Sequence, residues 1–237
     1  MRTCGGVENM IKYIVISRDG VYPMEHICYI VGAAPLDGRL PAVKSGDCLI
    51  AADAGFSALQ AAGLSPDLVI GDFDSLGDVP DHPNVLTHSP IKDDTDLILA
   101  LRWALERGWR RFEIYGALGG ARLDQTVASF QTLRGLRAKE ARAILVGDGW
   151  NVTVIDHCRL RFPPEAKGRL AVFCAGSPCA GVTLRGLKYT LEDSVLTGFY
   201  PLGVSNEFIG EAAEIAVRKG MLYVLWQDET RPEEETI

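Results

Sequence analysis

The 237-residue sequence has no apolar run near the ~20 residues that a membrane-spanning helix requires, so no integral membrane protein is expected. Its first residues show no basic cluster followed by an apolar stretch and a small-residue cleavage site, and the expectation is a cytoplasmic chain without a secretion signal. Lysine and arginine number 24 against 31 aspartates and glutamates, and they form no basic cluster. A net charge of −7 suits the phosphate backbone of nucleic acid poorly, and none is expected as a partner. An anionic small substrate remains compatible where local arginines or a metal cation offset that field. The six cysteines (Cys4, Cys28, Cys48, Cys158, Cys174, Cys179) contain no C-x-x-C pair. The usual zinc and redox spacings are therefore missing, which leaves buried or idle thiols in a reducing compartment. Neither G-x-x-x-x-G-K-[ST] nor G-x-G-x-x-G occurs, the four histidines show no H-E-x-x-H, and no serine lies in G-x-S-x-G.

What is present is ordinary for a soluble globular chain: 47% apolar and 23% charged residues, in a length that suits one large α/β domain or two small ones. Residues 1–25 are the hardest to read; Ile11–Ser17 has the look of a short strand, and Met10 and Met24 leave room for a later start. From His26 a rhythm sets in. His26–Gly32, Cys48–Ala52 and Leu68–Gly71 are apolar runs of the buried parallel-strand kind, and Phe112–Gly116 and Ala143–Gly147 read as a fourth and a fifth strand. Between them Phe56–Gly63, Thr95–Gly108 and Leu123–Arg137 read as helices, the second with Thr95 at its N-cap. Alternating strands and helices mean βαβ units and a parallel sheet. After about Gly149 come short alternating runs at Asn151–Asp156, Arg169–Cys174, Gly181–Leu184, Ala213–Val217 and Met221–Trp226, the pattern of an antiparallel sandwich or barrel. The domains expected are residues 26–149, α/β, and 150–227, antiparallel β, after an extension (1–25) and before an acidic tail (228–237) that should fray.

In open parallel sheets, ligands bind beyond the carboxyl ends of the strands. Three acidic groups fall there: Asp53; Asp72 with Asp74; and Asp93-Asp94-Thr95-Asp96 before the long helix. In an extended segment Asp72 and Asp74 point the same way, and a hard divalent cation relieves their repulsion. Mg²⁺ takes one or two carboxylates together with substrate phosphates and water. Each aspartate alone reads equally as a turn-former or cap, and Asp94 is assigned to that role, but three clusters at three strand ends point to a metal–phosphate site. The fourth strand end offers Gly116-Ala-Leu-Gly-Gly-Ala-Arg-Leu-Asp-Gln125. Its glycines permit close backbone approach, the helix that follows attracts anions, and Arg122 suits phosphate oxygens. The alternative is a plain glycine turn whose arginine pairs with Asp124. His82 and His88 read as solvated loop residues, and Gly186–Tyr189 and Gly203–Phe208 are turns of undecided role.

Taken in order, Ala52-Asp-Ala-Gly55, Gly71-Asp-Phe-Asp-Ser75, Lys92-Asp-Asp-Thr-Asp96, Gly119-Gly-Ala-Arg-Leu-Asp-Gln125, Gly186-Leu-Lys-Tyr189 and Gly203-Val-Ser-Asn-Glu207 resemble the thiamine pyrophosphokinase family, over roughly Ile27 to Leu225. The resemblance implies an N-terminal nucleotide-binding α/β/α domain and a C-terminal β-sandwich that binds thiamine. It implies a homodimer with active sites at the subunit interface, and the reaction of ATP and thiamine to AMP and thiamine diphosphate with Mg²⁺. By the same resemblance Asp72, Asp74 and Asp96 match the metal-binding, catalytic carboxylates, and Asp53, Lys92, Thr95, Arg122 and Asp124 surround the nucleotide and its phosphates. Ser205 and Asn206 match the segment that reaches thiamine, and Tyr189, Tyr200 and Phe208 are aromatic candidates for its cationic ring. Three departures stand out: Ala54 replaces a customary glycine, Ala121 is inserted before Arg122 with Gln125 in place of histidine, and residues 1–25 have no counterpart. Two rival readings are a Mg²⁺-dependent pyrophosphokinase for another small alcohol and a non-catalytic thiamine- or nucleotide-binding module.

Overall fold

The computed structural model describes residues 26–73, 79–88 and 94–237, so residues 1–25, Asp74 and Lys92 lie outside the described residues. Six strands run parallel: β1 (Cys28–Val31), β2 (Cys48–Ala52), β3 (Leu68–Gly71), β4 (Val85–Thr87), β5 (Arg111–Tyr115) and β6 (Arg142–Gly147). Their order across the sheet is β6-β5-β1-β2-β3-β4. The central runs are apolar on both sides because both faces are covered. On one face α1 (Gly55–Ala61) lays Leu59 among Tyr29, Val31, Val69 and Tyr115. On the other, α2 (Asp96–Glu106) and α3 (Leu123–Arg137) bury Ala100, Leu101, Ala104, Leu133 and Leu136 against Cys28, Ile30, Ile50 and Ile114.

The second half does not stand apart. Asp148 and Gly149 both take positive φ (51° and 75°), and this two-residue hairpin turn folds β7 (Trp150–Ile155) antiparallel onto β6. Strands β14 (Leu222–Trp226), β9 (Arg169–Cys174) and β12 (Asn206–Glu207) then extend the same sheet to ten strands. A separate five-stranded antiparallel sheet has the order β11 (Leu191–Leu196), β10 (Cys179–Arg185), β13 (Ala213–Val217), β8 (Cys158–Phe162), β15 (Glu233–Thr236). It packs on the antiparallel end of the large sheet: Leu160, Val182 and Ile215 meet Leu170, Val172 and Val224, and the Phe162 and Trp226 rings lie 5.5 Å apart. The fold is thus mixed α/β with a sandwich, one of whose two sheets continues the parallel sheet. The boundary expected between residues 149 and 150 falls in the β6–β7 hairpin.

Two expectations need correction. The acidic tail does not fray: residues 233–236 form β15 in register with β8. Counter-charges explain it: Glu234 meets Arg137 at 2.7 Å and Arg142 at 3.2 Å, and Glu235 meets Arg161 at 3.0 Å. The segment that leads from Asp72 toward Asp74 is not extended either, because Phe73 has φ 58° and buries its ring in the core beneath Gly71. Burial of the ring outweighs the cost of a left-handed backbone at a bulky residue. The five described cysteines are free, four of them buried, and burial pushes the Cys158 thiol up to about 11. Among the described residues no helix is long and apolar enough to cross a membrane.

Candidate active site

Between β1 and β5 the order of the parallel strands reverses its direction of growth, the switch point at which such sheets leave a crevice. A cleft of about 460 Å³ lies there, beyond the carboxyl ends of β1, β2 and β5. One wall is Gly32–Pro35, the other Gly116–Arg122; Asp53 and Asp96 border it, with Gln125 and Ser129 of α3 on the far side. The walls are stitched together through their backbones. Gly32 N donates to Tyr115 O at 2.8 Å and Ala34 N donates to Gly116 O at 2.9 Å. A Cβ on Gly116, whose φ is +61°, would stand 2.4 Å from Gly32 O, so no other residue fits there without displacing the opposite wall.

Each acidic residue owes its place to a local device. Asp53 adopts a left-handed φ of 49°, donates its N–H to Ile70 O at 2.8 Å and accepts from Phe56 N at 3.1 Å, which starts α1 directly after β2. Thr95 caps α2 by accepting from Ile98 N at 3.3 Å, and this sets Asp96 in the first turn, on the cleft. Asp94, read as a cap, instead pairs with Arg102 at 2.7 Å, because Thr95 already holds the capping position. Asp72 is half-buried at the end of β3, one strand beyond Asp53.

Arg122 stands at the rim, at the N-cap position of α3, and grips Asp124 in a forked pair at 2.9 and 2.7 Å. Both are exposed, and the guanidinium holds the Asp124 carboxyl down at about 2. The local arginine–aspartate pair raised by the sequence is therefore present, on the edge of the very cleft that Arg122 lines.

The cleft thus brings together Asp53, Thr95, Asp96 and Arg122. Among the described residues no group of three histidine, cysteine, aspartate or glutamate side chains is gathered for a metal, and Asp74 is outside them. Ser205 and Asn206 do not line the cleft. Ser205 is exposed with φ 62°. Asn206 is buried; its side chain accepts from Tyr189 N at 2.9 Å and donates to Tyr189 O at 2.6 Å, so it clamps the Gly186–Tyr189 turn. Sequence reasoning missed the Ala33–Pro35 wall as part of the site, although the strand-end rule applies to β1 as it does to β2 and β3.

Fold and crevice define the class: an open parallel-sheet α/β protein with a ligand cleft at its switch point, joined to a β-sandwich. Residues 41–145 match the family model described as thiamin pyrophosphokinase, catalytic domain, and residues 157–222 match thiamin pyrophosphokinase, vitamin B1 binding domain. A thiamine pyrophosphokinase of Bacillus subtilis (strain 168) is 30% identical over 191 residues, covering 74% of this chain and 85% of the relative. The solved thiamine pyrophosphokinase structure from Bacillus subtilis superposes with a TM-score of 0.76 at 25% identity, over 86% of this chain and all (100%) of that one. That from Geobacillus thermodenitrificans gives 0.71 at 26% identity, over 86% and 98%. The chain belongs to the thiamine pyrophosphokinase family and is an enzyme of that family.

Proposed function

We propose that the chain transfers the pyrophosphoryl group of ATP to the hydroxyl of thiamine, releasing AMP and thiamine diphosphate. The observation that carries this reading is the switch-point cleft, whose glycine walls let a phosphate chain approach backbone while Asp53 and Asp96 border the same space. The donor set fits Mg²⁺: the cleft's described acidic groups are carboxylates, with no histidine or cysteine among its lining residues, and this cation asks for few carboxylates beside phosphate oxygens. Asp72, Asp74 and Asp96 would hold it, and when bound it would neutralise charge on the phosphates.

Lys92 and Arg122 meet the phosphate oxygens, Arg122 turning from Asp124, while Asp53 and Thr95 border the nucleotide. The thiamine oxygen attacks the β-phosphorus, the bond from that phosphorus to the α-phosphate oxygen breaks, AMP leaves and the hydroxyl proton is released. Such a step needs alignment and charge neutralisation more than a strong base. On the sandwich side Tyr200 is 68% exposed and offers a face to a cationic ring, worth ~0.5–2 kcal/mol, whereas Lys188 Nζ already lies 5.6 Å over the ring of Tyr189. Phe208 instead packs its ring 5.1 Å from Phe162.

The working unit in this reading is a homodimer in the cytoplasm, with Ser205 of one protomer facing the cleft of its partner. The support is an exposed apolar loop: Phe199 is 97% exposed, next to exposed Tyr200, Leu202 and Val204, and contiguous apolar surface of this kind suits an interface. Light scattering of the purified protein should give twice the chain mass, and Phe199→Asp should give the monomer with activity lost. Incubation with ATP, Mg²⁺ and thiamine should yield AMP and thiamine diphosphate by mass spectrometry. ADP with thiamine monophosphate would overturn the reading, turnover only with other alcohols would favour a different pyrophosphokinase, and binding without AMP would favour a non-catalytic module.

A further inference from the structure

Glu113 is out of keeping with its position. It lies in the middle of β5, in the interior of the sheet, only 8% exposed, where an apolar residue is the ordinary occupant. Its carboxylate is met from two directions. The Tyr115 hydroxyl donates to Oε2 at 2.8 Å. Arg231, which follows β14 in the chain, donates Nε to Oε1 at 2.8 Å and Nη2 to Oε2 at 3.1 Å.

The remaining arm of Arg231 leads elsewhere. Nη1 donates to the Glu229 carbonyl at 3.0 Å and to Asn151 Oδ1 at 3.2 Å. Asn151 Oδ1 also accepts from Arg39 Nη1 at 3.3 Å. Arg39 in turn donates Nε to both Asp37 oxygens at 3.1 and 3.0 Å and Nη2 to the Trp150 carbonyl at 3.0 Å. Asp37 accepts from Gly149 N at 2.8 Å, so the loop after β1 is moored to the β6–β7 hairpin.

One end of this network is Tyr115, the residue before Gly116; the other is Asp37 and Arg39, just past Pro35. Those residues adjoin the two walls of the cleft in the chain, while none of Glu113, Tyr115, Asn151, Arg231, Asp37 and Arg39 lines it. For stability alone a carboxylate buried in the sheet is a poor choice, since its desolvation cost rivals the attraction of its partner and an apolar residue serves as well; here Glu113 is buried and Arg231 reaches it from the surface. What a forked arginine–carboxylate pair supplies is fixed geometry. We infer that Arg231 is a positioning residue for the cleft: by joining Glu113 to Asn151 and Arg39 it holds the Gly32–Pro35 and Gly116–Arg122 walls in register, so that the C-terminal segment sets how well the ATP phosphates fit. The ATP part of this inference rests on the function proposed above.

Arg231→Gln strands a buried carboxylate and is a harsh test, so the decisive variant is Glu113→Leu/Arg231→Met, which puts an apolar side chain at the buried position 113, places another at the partly exposed position 231 and cuts the link. Its melting temperature is measured with hydrogen–deuterium exchange over residues 32–39 and 115–122 and with KM for ATP and for thiamine. The expected result is a folded protein, faster exchange confined to the two walls, KM for ATP raised about fivefold or more, and kcat and KM for thiamine within about twofold. Unchanged exchange at both walls, or an increase spread over the whole sheet, would overturn the positioning role. A wild-type protein that makes no AMP would refute the ATP reading instead, and the exchange at the walls would still decide whether Arg231 holds them.

Discussion

At the scale of single residues, the cleft is built by small backbone devices that set carboxylates on its border. Asp96 is there because Thr95 ends the preceding loop as an N-cap. Asp96→Asn keeps the shape and helix of that turn and removes the charge; kcat should fall ~100-fold or more, about 2.7 kcal/mol of transition-state stabilisation, with the melting temperature little changed. Steady-state kinetics at saturating Mg²⁺ check this, and near-normal turnover would remove Asp96 from the proposed set of Mg²⁺ carboxylates. Asp37 makes a pH prediction. The Arg39 guanidinium, with the Gly149 N–H, holds its carboxyl at about 2, below its ordinary 3.8. A depressed folded-state pKa adds stability that is fully present above about pH 4 and is lost as the pH falls toward 2. Asp37→Asn should therefore cost on the order of 1 kcal/mol at pH 7, discounted for solvent screening, and flatten the acid limb of stability between those values. Denaturant titrations from pH 2 to 7 read this directly.

At the scale of elements, burial decided what was legible. The strands β1, β2, β3, β5 and β6 and the helices α2 and α3 announce themselves because parallel strands covered on both faces are apolar runs and because amphipathic helices carry their own period. Strands β4, β11 and β12 were not legible: they lie at sheet edges, where one side needs no apolar partner. β8 was not legible either, although it lies inside the small sheet, because Cys-Arg-Leu-Arg-Phe carries two arginines. β15 was hidden more deeply, since Glu-Glu-Glu-Thr favours a strand only when basic side chains face it, and those come from β8, α3 and β6. The same holds for the site: Asp53, Asp96, Thr95 and Arg122 follow from strand-end and capping rules, whereas Glu113 and Arg231 are 118 positions apart and only the fold joins them. The tail makes its own prediction. Glu234 is 11% exposed and Arg137 15%, so Glu234→Ala leaves a buried guanidinium without its carboxylate. The expected cost is about 3 kcal/mol, or roughly 6–12 °C in melting temperature, whereas Glu233→Ala, at an exposed position, should cost little. Thermal melts of the two variants side by side give the comparison.

At the scale of the molecule, the ten-stranded sheet means that the two halves share one backbone ladder. Ile144 of β6 packs into both the α/β core and the sandwich core, and Phe130 of α3 meets Tyr223 of β14 at 5.2 Å. Calorimetry should therefore show a single unfolding transition with matching calorimetric and van't Hoff enthalpies, and residues 26–149 expressed alone should aggregate at the uncovered β6 edge. Two resolved transitions would show that the halves fold independently. The ladder between β6 and β7, paired from Ile144–Thr153 to Gly147–Trp150, also limits how this enzyme moves. A clam-shell motion of one half against the other would have to shear those pairs, so torsional stiffness is inherited from the sheet itself. Access to the crevice is then governed by the loops at its mouth.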